Sequence, residues 1–140
     1  MQAKVSWADG VSFKATSGSG HDIVLDGPPD LGGRNLGARP MELMLMGAGG
    51  CSIFDVLTIL QKSRQDVVDC EVDIQAERAD AVPAIFTKIH LKFKVTGRKL
   101  KEAHVKRAVQ LSAEKYCSAS IMLTAAGVEI THSYEIVELD

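Results

Sequence analysis

The chain has 140 residues, enough for one domain with a real core and too few for two, so it is read as a single unit over residues 1–140. Its 16 basic and 18 acidic residues leave a net charge of -2, which argues against a nucleic-acid or anionic-membrane partner. Three cysteines, Cys51, Cys70 and Cys117, form no CxxC or CxxH pair, so their spacing offers neither a secreted disulfide framework nor a zinc motif. Free thiols in a reducing cytoplasm are expected.

The opening "MQAKVSWADG" alternates polar and apolar residues without a continuous apolar run, so it does not read as a signal peptide. Ala3, Val5 and Trp7, the turn "ADG", and then Val11, Phe13 and Ala15 predict a hairpin. A short strand around Ile23 to Leu25 follows the turn "SGSGHD". Next comes "GPPDLGGRNLGAR", a Gly/Pro-rich loop of a length usually reserved for function. Pro40 suits the first position of a helix that runs to about Lys62 and is apolar all round. Val68, Cys70, Val72, Ile74 and Ala76 alternate with acidic and polar residues up to Glu77, the mark of a half-buried strand. A second alternation sets Ile89, Leu91, Phe93 and Val95 against Lys88, His90, Lys92 and Lys94, which predicts an antiparallel pair with acidic and basic outer faces opposed. Beyond "TGRK", Val105, Ala108, Val109, Ser112 and Tyr116 recur at helical spacing. "CSAS" breaks that helix at Cys117, a short apolar helix covers Ile121 to Ala125, Gly127 stops it, and Val128 to Ile136 form a closing strand.

The order β-β-β-α-β-β-α-α-β, with short turns between strands, predicts the α+β class, antiparallel sheet with helices on one side. Residues 41–60 are long enough to cross a bilayer, but Glu42 and Asp55 would be costly in lipid, so a surrounded helix of a soluble protein is expected. One sheet covers only one side of an apolar cylinder, and a second copy of the chain is the simplest further cover. Gly47, Gly49 and Gly50 each cost the helix roughly 1 kcal/mol relative to alanine. They make sense where another backbone approaches closely, so an intimate homodimer is expected.

Cys51 reads either as a reactive thiol or as a small core residue. It lies about three turns into the helix, beyond the help of the helix dipole, and Asp55 at i+4 works against ionisation, so an outside cation would be required. Cys117 sits where the N–H groups of the next helix begin, and reads equally as an activated thiol or as a structural turn residue. Packing explains Cys70, and His21, His90, His104 and His132 read as structural or solvated. "GGRNLG" has no lysine and lacks the strand-to-helix context of a phosphate loop.

Three stretches taken together, "SGSGHDIVLDG", "GGRNLGARPMELMLMGAGGCSIFDVLTIL" and "KYCSAS", resemble the OsmC/Ohr family, nearest its YhfA-like branch. The resemblance spans nearly the whole chain. It implies antiparallel sheets around long central helices in an intertwined homodimer, with active sites at the subunit interface. It also implies reduction of organic hydroperoxides by thiol chemistry. By position Cys51 would be the peroxidatic thiolate, Cys117 the resolving thiol, and a small dithiol the reductant; neither metal nor organic cofactor is implied.

The chain departs from that pattern at two places. Hydroperoxide reductases of the family carry an arginine near the first hairpin turn and a glutamate directly after the helix-opening proline, where this chain has "WADG" and Met41. Glu42 stands one position on, and Arg34 and Arg39 just ahead of the helix are the remaining candidates for activating the thiolate. The expected function is a cytoplasmic thiol peroxidase acting on apolar organic hydroperoxides. The alternative is a non-enzymatic protein of the same fold that binds a small apolar ligand or senses redox state.

Overall fold

A computed structural model describes residues 1–140, which form two compact units, residues 1–46 and 47–140. In the first, β1 (Ala3–Asp9), β2 (Ser12–Ser17) and β3 (Asp22–Asp26) form an antiparallel sheet in that order. The β1–β2 turn rests on Gly10 at φ +53°, where a side chain is strained, and the Trp7 indole N–H donates to the Gly10 carbonyl at 2.9 Å. The Asp26 carboxylate, buried at the end of β3, accepts backbone N–H bonds from Gly27, Arg34 and Leu36 at 2.9, 2.9 and 3.1 Å. One side chain thus folds the glycine-rich loop back on itself. These bonds, the one from Arg34 first, hold the Asp26 carboxyl below the usual carboxylate range.

Helix α1 (Pro40–Lys62) opens on the predicted proline, whose missing N–H costs nothing at that position. Glu42 accepts the Arg39 backbone N–H at 2.9 Å and so caps the first turn.

In the second unit, β4 (Asp66–Arg78) and β5 (Phe86–Arg98) pair antiparallel. Glu71 stands opposite Lys94, Asp73 opposite Lys92 and Glu77 opposite Lys88, the expected arrangement of charge. Val68 departs from the expected pattern: it is exposed, because a bulge between Val67 and Asp69 puts the strand out of phase there. After β5 come α2 (Glu102–Leu111), a single π-helical turn (Ser112–Tyr116), α3 (Ser118–Ala125) and β6 (Glu129–Glu138). Gly127 ends α3 with φ +97°.

β6 corrects the all-antiparallel expectation for this sheet. It lies beside β5 and runs parallel to it, with Leu91 opposite His132 and Val95 opposite Ile136. The helical crossover is long enough to return the chain to the end of the sheet where β5 began, which a hairpin cannot do. β5 is therefore central, and Ile89, Leu91, Phe93 and Val95 form a buried row on one of its faces. Val56, Leu60, Val105, Ala108 and Val109 complete the core of this unit.

Of the three helix glycines only one is a close approach within the chain. A Cβ on Gly49 would collide with the end of the Ile74 side chain and touch Val72 at 3.6 Å, whereas one on Gly47 or Gly50 would meet nothing within 4 Å. Gly49 is what lets α1 lie flat against β4. The helix is not surrounded within one chain: over its most apolar window the mean hydropathy is 1.8, high enough by length and composition to cross a membrane, and 28% of that window is buried. Met44, Met46 and Phe54 are exposed on it.

Candidate active site

The site is built where α1 meets the break between α2 and α3. Five residues of π-helix at Ser112–Tyr116 unwind and widen the end of α2, and Cys117 then turns extended, at φ -76° and ψ 102°. This makes Cys117 the N-cap of α3. Its sulfur accepts the Ser120 backbone N–H at 3.4 Å, a task usually given to a hydroxyl or carboxylate oxygen. From α1, the Ser52 hydroxyl lies 3.2 Å from the Cys117 sulfur and 3.4 Å from the Ser120 hydroxyl. The Ser112 hydroxyl donates to the Ser52 carbonyl at 3.2 Å, tying the π-turn to the helix. Ser52, Ser112, Ser120 and Cys117 are all buried.

Cys51 is half-buried, one residue before Ser52, and both it and Cys117 are free thiols. Their sulfurs and a carboxylate oxygen of Asp55 all lie within 4.8 Å of one another. The two sulfurs do not have equal environments. Burial pushes the Cys51 thiol up, and Cys117 and Asp55 add to this against one backbone N–H bond from Ala119. Burial also opposes ionisation of Cys117, but hydrogen bonds from Ser120, Ser52 and Cys51 outweigh it and hold that thiol below its ordinary value. Asp55 is raised by burial against a bond from Ser112, and its Oδ2 is buried without a hydrogen-bond partner. Cys70, inside β4, is pushed up to about 11, by burial first and then by Asp69 and Glu71, and takes no part.

Of the residues singled out in the sequence, Cys51 and Cys117 are brought together. Arg34, Arg39 and Glu42 belong to the first unit, and each has a partner there. The Arg34 guanidinium pairs with Asp9 at 3.1 Å, and Arg39 pairs with Glu42 at 3.7 Å. Sequence reasoning missed Ser52, Ser112 and Ser120, and it took Asp55 only as an obstacle to ionisation. A signal was present in Ser52 and Asp55, polar residues inside an otherwise apolar helix. His90, by contrast, is occupied on the outer sheet face by Thr131 and Ser133, at 2.7 and 2.9 Å. A cavity of about 540 Å³ opens beside the site, with Phe54, Asp55, Ile59, Leu111 and Tyr116 among its walls. Its lining is mainly apolar, and Asp55 is the residue it shares with the thiol pair.

Comparison with known proteins gives the family and the fold. A family model described as OsmC-like protein matches residues 32–133. The chain is 56% identical to protein YhfA of Escherichia coli K12 over 140 residues, covering 98% of each. Among solved structures it is similar to a hypothetical protein from Aquifex aeolicus (TM-score 0.86, 29% identity, 99% of this chain and 97% of that one). It also shares its fold with an organic hydroperoxide resistance protein from Legionella pneumophila (TM-score 0.71, 18% identity, 99% and 96%).

Proposed function

The chain belongs to the OsmC-like family, and from that premise we propose that it reduces organic hydroperoxides with the Cys51–Cys117 pair. The observation that carries this reading is the convergence of two free sulfurs within 4.8 Å, one of them held acidic by three hydroxyl or amide groups. The name of the Legionella relative points the same way.

Cys51, the more accessible sulfur, passes its proton to Cys117 and attacks the terminal peroxide oxygen as a thiolate. The O–O bond breaks, leaving Cys51 as a sulfenic acid and releasing an alkoxide, which takes the proton now held by Cys117, leaves as the alcohol and restores the Cys117 thiolate. The Cys117 thiolate then attacks the Cys51 sulfur, expels hydroxide, which is protonated to water, and closes a disulfide. Two thiols have lost two electrons to the peroxide, and a small dithiol restores them by exchange. The sulfurs, now within 4.8 Å of one another, must close to about 2.05 Å for this bond.

The cavity lined by Phe54, Ile59, Leu111 and Tyr116 suits an apolar peroxide. A second copy of the chain, in a homodimer, is the proposed cover for the exposed Met44, Met46 and Phe54. A reducing cytoplasm is the compartment in which such thiols stay free.

The test mixes reduced protein with cumene hydroperoxide and follows the thiols by mass spectrometry. Rapid formation of a Cys51–Cys117 disulfide supports the peroxidase, and a rate no greater than that of free cysteine refutes it. One observation favours a second reading, apolar-ligand binding or redox sensing without turnover. Cys51 is pushed up, and Arg34 and Arg39, the candidate cations, already hold Asp9 and Glu42. Measuring the Cys51 thiolate in Arg34→Ala and Arg39→Ala decides whether either arginine contributes. An unchanged titration in both removes them from the mechanism.

A further inference from the structure

We propose that Cys51, Asp55 and Cys117 form a binding site for a thiophilic divalent cation of the zinc type, with three protein donors and one open position. The site shares Cys51 and Cys117 with the proposed peroxidase and adds Asp55, which that reading leaves unused.

Two donors come from one helix face, since Cys51 and Asp55 are four residues apart on α1. The third is the sulfur that caps α3. All three donor atoms lie within 4.8 Å of one another. Around a tetrahedral ion with bonds of about 2.0–2.3 Å, donor atoms stand roughly 3.3–3.8 Å apart. The donors are thus at most about 1.5 Å from the spacing that such an ion requires.

The Asp55 oxygen is a separate observation that points to a ligand. Oδ2 is buried and accepts no hydrogen bond. Buried carboxylate oxygens are nearly always paired, protonated or coordinated to a metal, because an uncompensated one is costly. No histidine belongs to this cluster, and Asp55 pairs with neither Lys62 nor Arg107, the two cations that line the adjoining cavity. A cation held jointly by the Asp55 carboxylate and the two sulfurs would compensate this group.

The surroundings have the form of an outer shell that orients metal-binding thiolates. Ser52 and the Ser120 N–H hold the Cys117 sulfur, and the Ala119 N–H faces Cys51. Asp55 also lines the 540 Å³ cavity, which gives an ion a path in and leaves room for water or a small ligand at the fourth position. Two sulfurs with a single carboxylate favour zinc over magnesium or calcium, which take oxygen ligands. Zinc-motif spacing is absent because the donors lie 51, 55 and 117 along the chain, and only the fold brings them together.

The test titrates reduced, metal-free, full-length protein with Zn²⁺ against a chromophoric chelator, and in parallel with Co²⁺. One ion per chain is expected, with thiolate-to-cobalt charge-transfer absorption. Cys51→Ser and Cys117→Ser should abolish binding, Asp55→Asn should weaken it by at least about tenfold, and Cys70→Ser should leave it unchanged. Should a cysteine variant fail to fold, two readouts remain: the nearly isosteric Asp55→Asn, and protection of Cys51 against alkylation by Zn²⁺ in the unaltered protein. Substoichiometric binding, a cobalt spectrum without sulfur bands, undiminished affinity in Asp55→Asn, or Cys51 alkylation indifferent to Zn²⁺ would each overturn the proposal. Peroxide reduction is measured on the metal-free protein, so the two readings succeed or fail separately.

Discussion

Gly49→Ala isolates the contact that seats α1 on its sheet. In the interior of a helix the added methyl should stabilise by about 1 kcal/mol through propensity alone. Here it would run into the end of the Ile74 side chain, with Val72 already at 3.6 Å. Overpacking of that kind costs about 1–3 kcal/mol. Ile74 is only half-buried and its outer methyl can rotate away, so the low to middle part of that range applies. The expected net change for Gly49→Ala is a loss of roughly 1 kcal/mol. Ile74→Val alone should cost about 0.5 kcal/mol, the low end for this substitution at a half-exposed site. It also removes the methyl with which the alanine collides. In the double variant the collision is gone and the propensity gain survives, so stability should return to that of the original chain or slightly above. The two changes should therefore couple by about 2 kcal/mol, well beyond the ~0.5 kcal/mol scatter of additive pairs. Urea unfolding followed by circular dichroism gives all four corners of the cycle. Stabilisation by Gly49→Ala with Ile74 intact, or additivity of the two changes, would refute the steric account of this glycine.

Three further predictions concern titrating groups and their partners. Asp55 has its folded value raised, so the stability linked to its protonation is complete below the unfolded value of about 3.9 and is lost as pH rises through the folded one. Asp55→Asn should consequently be more stable than the original chain at neutral pH, with the gap closing towards pH ~4 in melts across that range. Asp26 is the opposite case: its lowered carboxyl contributes stability above about pH 3.9 that is lost as pH falls through the folded value. Amide exchange at Arg34 and Leu36, whose N–H groups it accepts, should accelerate over that acid range, and Asp26→Asn should show fast exchange at every pH. Ser52→Ala removes one of the bonds holding the Cys117 thiolate. Because a less acidic thiol is also a better nucleophile, disulfide closure at neutral pH should slow only by roughly threefold and recover at higher pH, read by quenched mass spectrometry.

The parts of the fold visible in the sequence are those set by local periodicity. Alternation located β4 and β5 and their opposed charges, and Pro40 located the start of α1. Alternation carries no direction, which is why β6 could be found as a strand and still be placed antiparallel, when the α2–α3 crossover makes it parallel. Nor does it register a bulge, so Val68 was assigned to the inner face. In the site, Cys51 and Cys117 became a pair only through family resemblance, since 65 residues separate Ser52 from the sulfur it touches. Arg34 looked like a free cation because nothing local announces a partner 25 residues away, whereas the partner of Arg39, Glu42, lies only three residues on.

Asp55 is the residue on which the two proposals meet. In an apolar helix a half-buried carboxylate four residues from a thiol lowers stability and opposes ionisation of Cys51. A peroxidase alone gains nothing evident from it, whereas a cation site needs a hard donor to complete two soft ones. The two uses are mutually exclusive in time, because sulfurs joined in a disulfide cannot ligate a metal and sulfurs holding a metal are not free to attack a peroxide. On these proposals the oxidation state of Cys51 and Cys117 sets the affinity for the cation, and the cation in turn protects the thiols. Oxidising zinc-loaded protein with cumene hydroperoxide should then release the ion in step with disulfide formation, and Asp55→Asn should be oxidised at nearly the metal-free rate even when Zn²⁺ is present. A disulfide that forms while the ion stays bound would refute this exclusion and separate the two activities.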